Sequence, residues 1–222
     1  MAASTTTASS SGSTLVLLVL YLAACFHAAE PKPKAAGGDS SDLVARACAN
    51  ATSDFCHKHL TAKYCVSTLR SDTRSARART PRDLALVAVD LARRGAAAAD
   101  AKAAGALERK ISEEDARSLR YCRSDYVAVA RLAAMCRGLV EAYSPGDGMR
   151  MYYNVECATK LVHAATNCGH LARFVGAESE AALRKEFIDV ARRTALVKAM
   201  VELMIGVEDP IEGFEDDFDY DA

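Results

Sequence analysis

The side chains best suited to covalent chemistry in this chain of 222 residues are its eight cysteines. Cys25 lies in an apolar N-terminal run, and the other seven are Cys48, Cys56, Cys65, Cys122, Cys136, Cys157 and Cys168. In a reducing compartment such a set suggests metal or redox chemistry; in an oxidising one it pairs into disulfides. The densest constellation, Cys56-His57-Lys58-His59 with Cys65, has the residue types of a zinc site, but thiols oxidise in an exported protein and a loose polar turn is the preferred reading. His163 and His170 stand two helical turns apart, about 10 Å, which is too far for one metal ion. No Gly-x-Ser-x-Gly elbow, phosphate loop, dinucleotide fingerprint or paired His/Asp base occurs. Neither a catalytic residue nor a cofactor is expected.

The N-terminal segment decides how the cysteines are read. Residues 1–29 contain no Asp, Glu, Lys or Arg, and LVLLVLYLAACF (Leu15–Phe26) is an uninterrupted apolar run. It is too short to span a bilayer. Small residues follow at Ala23-Ala24-Cys25 and Ala28-Ala29, so the segment reads as a cleaved secretory signal, although it lacks the usual basic start. A buried core helix fits these flanks less well. No second long apolar run follows, so the mature protein is expected to be secreted and free of the membrane. Export turns the thiols into disulfides, and loss of Cys25 leaves an odd number. One cysteine therefore stays free or pairs between chains. The sequon Asn50-Ala51-Thr52 predicts a glycosylated surface at Asn50.

The elements that must position these cysteines are helices. Half the residues are hydrophobic, only 6% are aromatic and about a fifth are alanine, which favours an all-α chain over a sheet. Residues 30–41 form a Pro/Gly/Ser linker, and helical signals begin at Asp42. The basic stretch Arg70–Arg79 breaks the pattern until Thr80-Pro81-Arg82-Asp83, a strong helix start with a Thr cap and Pro in the first turn. Leu84, Val87, Leu91, Ala98 and Ala101 are then expected on one inward face of a helix reaching about Ile111. Ser112, followed by Glu113, Glu114 and Asp115, starts the next helix, whose seam is Leu119, Cys122, Tyr126, Val129, Ala133, Cys136 and Val140. Ser144-Pro145-Gly146-Asp147-Gly148 ends it. The following seam is Cys157, Leu161, Ala164, Cys168, Leu171 and Val175, and a last one runs through Leu183, Phe187, Val190, Thr194, Val197, Val201 and Met204. Short connections make neighbours antiparallel. The expectation is an up-down-up-down four-helix bundle preceded by a smaller helical segment, in one folded domain over residues 42–206, without internal repeats.

Cys122 and Cys136 lie on the inward seam of one helix, and Cys157 and Cys168 on that of the next. Cys122 with Cys168 and Cys136 with Cys157 are placed almost symmetrically about Pro145-Gly146, within one helical turn. Two rungs across one hairpin are predicted, whereas Cys122 with Cys157 would misalign it. Small buried thiols are the plainer alternative. Cys48, Cys56 and Cys65 remain, and spacing does not choose between Cys48–Cys65 and Cys56–Cys65.

Charge is unevenly distributed. Residues 207–222 hold eight acids and no base, so residues 30–206 carry 28 bases against 21 acids. The tail is expected to be an acidic, disordered segment beside a basic body, either folding back on it or steering a partner, or else a solubilising tail with no partner. Nucleic-acid binding is disfavoured, because the bases are spread along helices and the few aromatics sit on apolar seams. A lipid carrier would need adjacent Cys-Cys and Cys-x-Cys elements, which are absent.

Several stretches in order resemble the plant invertase/pectin methylesterase inhibitor family. They are V-A-R-A-C (Val44–Cys48), Y-C-V-S-T-L-R-S-D-T-R-S-A (Tyr64–Ala76), D-L-A-L-V-A-V-D (Asp83–Asp90), Cys122 with S-D-Y (Ser124–Tyr126), and Cys168 on a late helix. The resemblance implies a four-helix bundle behind an N-terminal helical hairpin. It maps the family's two bridges onto Cys48–Cys65 and Cys122–Cys168, leaving Cys136–Cys157 as an additional rung and Cys56 as a free thiol or the link in a disulfide-bonded dimer. The chain departs from the family at Ala62-Lys63-Tyr64, where a Tyr-Pro usually precedes the second cysteine. Its Cys48 to Cys65 spacing is similar to the pollen-allergen branch. Family members that block invertase use a Pro-Lys-Phe segment between the third and fourth family cysteines, and here that loop reads S-P-G-D-G-M-R-M (Ser144–Met151). The implied function is a secreted cell-wall (apoplastic) inhibitor of pectin methylesterase, occluding its cleft in a reversible one-to-one complex. Acid invertase is the alternative target, and a secreted helical protein that inhibits nothing is the alternative of another class.

Overall fold

The structure is a computed structural model that describes residues 42–52, 60–146, 148–171 and 177–206. The expected signal, linker and acidic tail, and the Cys56–His59 cluster with the cysteine expected to stay free, lie outside the described residues.

Helices α1 (Leu43–Ala51) and α2 (Ala62–Arg70) form a short hairpin. Each start is capped by a side chain: Asp42 accepts from the Ala45 amide and Thr61 from the Tyr64 amide. Arg70, in the last turn of α2, pairs back to Asp42, and Cys48 is bonded to Cys65 across the hairpin at a Cα–Cα distance of 5.7 Å. The basic stretch that interrupts the helical pattern becomes a 3₁₀ turn, Thr73–Arg77.

The bundle itself comprises α3 (Pro81–Leu107), α4 (Glu113–Ala142), α5 and α6 (Ala177–Ile205). Within α5, a helical turn Arg150–Tyr152, a π-helical stretch Tyr153–Thr159 and an α-helix Lys160–Leu171 follow one another without a break. The predicted starts are both present. Thr80 and Asp83 form a reciprocal capping box with Pro81 behind it, and Ser112 accepts from the Asp115 amide with three acids in the first turn. The helices pack in a ring, α3 on α4, α4 on α5, α5 on α6 and α6 back on α3, with the α1–α2 hairpin resting on α6 and α3. The fold is all-α, and no strand occurs among the described residues. No helix among them is long and apolar enough to cross a membrane.

The seam predicted on α4 is buried at all seven positions. On α3 the expectation needs correcting: Leu84, Val87 and Leu91 are buried, but Ala98 and Ala101 are exposed, and the inward face continues through Ala96, Ala99 and Ala103. The reason is lack of contrast. Where nearly every residue is alanine, hydropathy cannot mark a face, and the true face follows the 3.6-residue period. The helix also stops at Leu107, before Ile111.

Candidate functional site

Two regions of the bundle put polar and apolar side chains where the simple inside-outside rule does not expect them. The first joins the 3₁₀ turn to α3 and α4. Asp90, only 6% exposed, lies in the middle of an apolar run of α3. Its Oδ2 accepts from Arg74 Nη1 and from Arg137 Nη1, both at 2.6 Å. Burial pushes the Asp90 carboxyl up, but the two guanidinium hydrogen bonds outweigh it and hold the group below the usual carboxylate range. Asp72 accepts from Arg74 Nη2 and Arg94 Nη2, each at 2.8 Å, and from the Arg74 amide. The hydrogen bonds of Arg74, then of Arg94, hold its carboxyl far below that range. Beside them the buried Ser75 hydroxyl donates to the Leu69 carbonyl at 2.6 Å. The R-S-D-T-R-S-A stretch and the last residue of D-L-A-L-V-A-V-D are thus one polar lock, which fixes the hairpin on the bundle and offers no open chemistry.

The second region is the α4–α5 hairpin. The structure brings together both pairs expected as rungs: Cys122 is bonded to Cys168 and Cys136 to Cys157, each with a Cα–Cα distance of 4.6 Å. The C-terminus of α4 is capped from α3, since Arg82 Nε donates to the Val140 carbonyl at 3.0 Å and its Nη2 to Glu141. A cation at carbonyls left open by a helix end also suits the helix dipole. Tyr153 is buried and meets Tyr143 edge-on, with ring centroids 5.3 Å apart. Against this rigid end, large apolar side chains face solvent: Met149 at 52%, Met151 at 58%, Tyr152 at 44% and Val155 at 41% exposure. Lys160 and Glu156, paired with each other, border the patch. In the same π-helical stretch Asn154 is buried and its Oδ1 has no hydrogen-bond partner.

Exposed apolar clusters on a fixed frame mark protein contacts, and Met and Tyr are enriched in interface cores. The arrangement can bind by shape. It holds no nucleophile beside a base, and no group of metal-ligating side chains occurs among the described residues. His163 is exposed on α5, and His170 is in the same helix. Asn50 is exposed in the last turn of α1, where the Thr52 hydroxyl donates to the Cys48 carbonyl at 2.8 Å. Sequence reasoning missed the Asp90 lock and the apolar patch. The signals were a single acid inside an apolar helical run and the M-R-M-Y stretch (Met149–Tyr152) following a glycine turn, away from the seam.

The family model described as plant invertase/pectin methylesterase inhibitor matches residues 42–168, from the cap of α1 to the last bridged cysteine. None of the curated proteins matches the chain. The matched span covers more than half of the chain, contains the polar lock and all six bridged cysteines, and ends before α6. The chain belongs to the plant invertase/pectin methylesterase inhibitor family.

Proposed function

We propose that the protein is a secreted inhibitor of pectin methylesterase, acting in the cell wall by seating the stapled end of the α4–α5 hairpin over the enzyme's cleft in a reversible one-to-one complex. The family match over residues 42–168 carries this reading. Members of that family are inhibitors rather than enzymes. A protein inhibitor needs no chemistry of its own; it needs a surface that loses little freedom on binding, and two rungs with an Arg82 cap supply one. Met149, Met151, Tyr152 and Val155 are the proposed contact, and a glycan at Asn50 on the α1–α2 hairpin belongs to the same reading.

Pectin methylesterase is preferred to acid invertase because the turn Ser144–Met151 lacks the Pro-Lys-Phe segment of invertase-blocking relatives. The test adds the secreted protein in parallel to a pectin methylesterase and an acid invertase across mildly acidic pH. Stoichiometric, reversible loss of esterase activity is expected. Loss of invertase activity alone moves the target to invertase, and full activity of both at excess protein overturns the reading.

A further inference from the structure

The apolar end of the α4–α5 hairpin has a neighbour in the chain itself. Leu91 of α3 accepts from Arg193 of α6, and Lys102 pairs with Glu186, so α6 runs antiparallel to α3. The part of α6 from Arg193 to Ile205 therefore lies alongside the part of α3 from Leu91 back to Pro81. Arg82, in that first turn of α3, reaches the Val140 and Glu141 carbonyls at the end of α4, and the Cys136–Cys157 bridge carries the same level across to α5. The π-helical stretch of α5 in turn packs on α6. The end of α6, the start of α3, the end of α4 and the start of α5 thus share one end of the bundle. Gly206 stops α6 there with a left-handed backbone at φ 69°.

We propose that residues 207–222 fold back over this end and cover the exposed Met151, Tyr152 and Val155 with the tail's own rings, Phe214, Phe218 and Tyr220. Reach permits it. Phe214 lies eight residues beyond Gly206, a span of up to about 27 Å, whereas neighbouring helix axes are about 8–10 Å apart. Charge favours it, because the eight acids of the tail meet a body with 28 bases against 21 acids. Phe218 and Tyr220 are each flanked by two aspartates, and exposed Arg150 precedes Met151, so a ring set on the patch brings a carboxylate to a guanidinium. Methionine sulfur is also a favourable neighbour for a ring. A tether of this length holds the rings at an effective concentration in the millimolar range, so a contact too weak to form between separate molecules is populated within one. The consequence for inhibition rests on the reading of this patch as the enzyme contact. Tail and enzyme then exclude one another, and the tail lowers the fraction of the inhibitor that is competent to bind.

The docking is tested without the enzyme. The chain has no tryptophan, so Phe218→Trp in the full secreted protein gives emission from the tail alone. Acrylamide quenching of that indole is expected to be about threefold weaker than in the same chain carrying Met151→Ser/Tyr152→Ser, and independent of protein concentration. Tyr121→Ser/Val127→Ser, which removes exposed apolar side chains elsewhere on α4, should leave the protection intact. Helicity by circular dichroism should be the same in both double variants. Equal quenching with and without the patch substitutions overturns the proposal, as does protection that salt removes and those substitutions do not, since the tail then rests elsewhere. Protection that grows with concentration overturns it too, because the occupant is then a second copy. Inhibition is read separately: Phe214→Ser/Phe218→Ser/Tyr220→Ser should inhibit pectin methylesterase about threefold more strongly than the parent, the factor by which a tail docked two-thirds of the time weakens apparent binding. Patch-dependent protection with unchanged inhibition leaves the docking standing and removes the patch as the enzyme contact. The same protection with no inhibition of either enzyme removes the inhibitor reading alone.

Discussion

Asp90 and Tyr152 invert the usual distribution of side chains in opposite senses. Around Asp90 a charge is taken into the core and surrounded by guanidinium groups from the 3₁₀ turn and α4. At the α4–α5 hairpin, apolar groups are left in solvent on a backbone fixed by two disulfides and an arginine cap. The first arrangement pairs its buried carboxylate with two guanidinium groups of the protein, which offsets the cost of desolvation and fixes the hairpin position. The second leaves surface unsatisfied, and a rigid unsatisfied surface is what a partner can cover. Deletions in the lock should therefore appear in stability, and deletions in the patch should appear in binding.

The largest expected effect is on the frame beneath the patch. The Cys136–Cys157 loop, with a sequence separation of 21, is nested inside that of Cys122–Cys168, separated by 46. Each rung consequently closes an increment of only some twenty-odd residues when the other is intact. Chain-entropy arguments put that at about 3.5 kcal/mol. Cys136→Ala/Cys157→Ala and Cys122→Ala/Cys168→Ala should each lower unfolding stability in denaturant by this order, and by similar amounts. If one double variant loses all the stability and the other none, the hairpin is not stapled twice.

Next in size is Asp90→Asn. Its partners Arg74 and Arg137 are 46% and 36% exposed, so water can take over part of their solvation and the loss should be about 2–3 kcal/mol, below the range for a fully buried pair. The pH dependence has a definite sign. Asp90, Asp72 and Asp83 all have folded-state values depressed below the ordinary one. Their contribution is complete above the unfolded aspartate value near 4 and disappears as the pH falls through the lower folded values. Stability should hold on the way down to about pH 5 and then fall, and Asp90→Asn should make that fall shallower. A variant with the same acid slope as the parent would remove Asp90 from the lock.

The patch should respond in the opposite channel. Tyr152→Ala and Met151→Ala change exposed side chains, so unfolding stability should stay within about 0.5 kcal/mol. If these residues are the contact, inhibition should weaken by about tenfold or more for Tyr152, the aromatic anchor, and less for Met151. Unchanged inhibition constants with both substitutions combined would move the contact to another face.

These two regions were unequally legible in the sequence. The seam of α4 could be read because bulky residues and cysteines recur at spacings of 3 and 4. The same spacing placed the rungs, since disulfide geometry and helix period constrain each other. The lock could not be read. Its members lie 16 and 47 residues from Asp90, and nothing in one sequence pairs a particular arginine with a particular aspartate over such distances. The π-helical stretch around Asn154 was equally invisible, because periodicity assumes the α-helical repeat. The patch was visible only as apolar residues left over from the seam, which by itself does not separate a contact from an ordinary surface.

The smallest expected effect tests whether the seam between α3 and α6 behaves like the lock or like the patch. Gly95 lies within α3, and a Cβ there would meet Arg193 Cδ at 2.5 Å and Nε at 2.9 Å. Arg193 lies across that position, donating from Nη1 to the Leu91 carbonyl at 3.3 Å and from Nε to Asp189. In Gly95→Ala the clashing atoms belong to the outer part of a flexible side chain, so Arg193 can swing away without moving the helices. The substitution gains about 1 kcal/mol of helix propensity. It loses an i,i+4 ion pair worth about 0.3–0.5 kcal/mol and one peripheral hydrogen bond of about 0.5–1 kcal/mol. These nearly cancel, and thermal unfolding should shift by less than about 2 °C. A loss as large as that of Asp90→Asn would mean that Arg193 holds α6 on α3 as Arg74 and Arg137 hold the hairpin, and the seam would then belong with the lock.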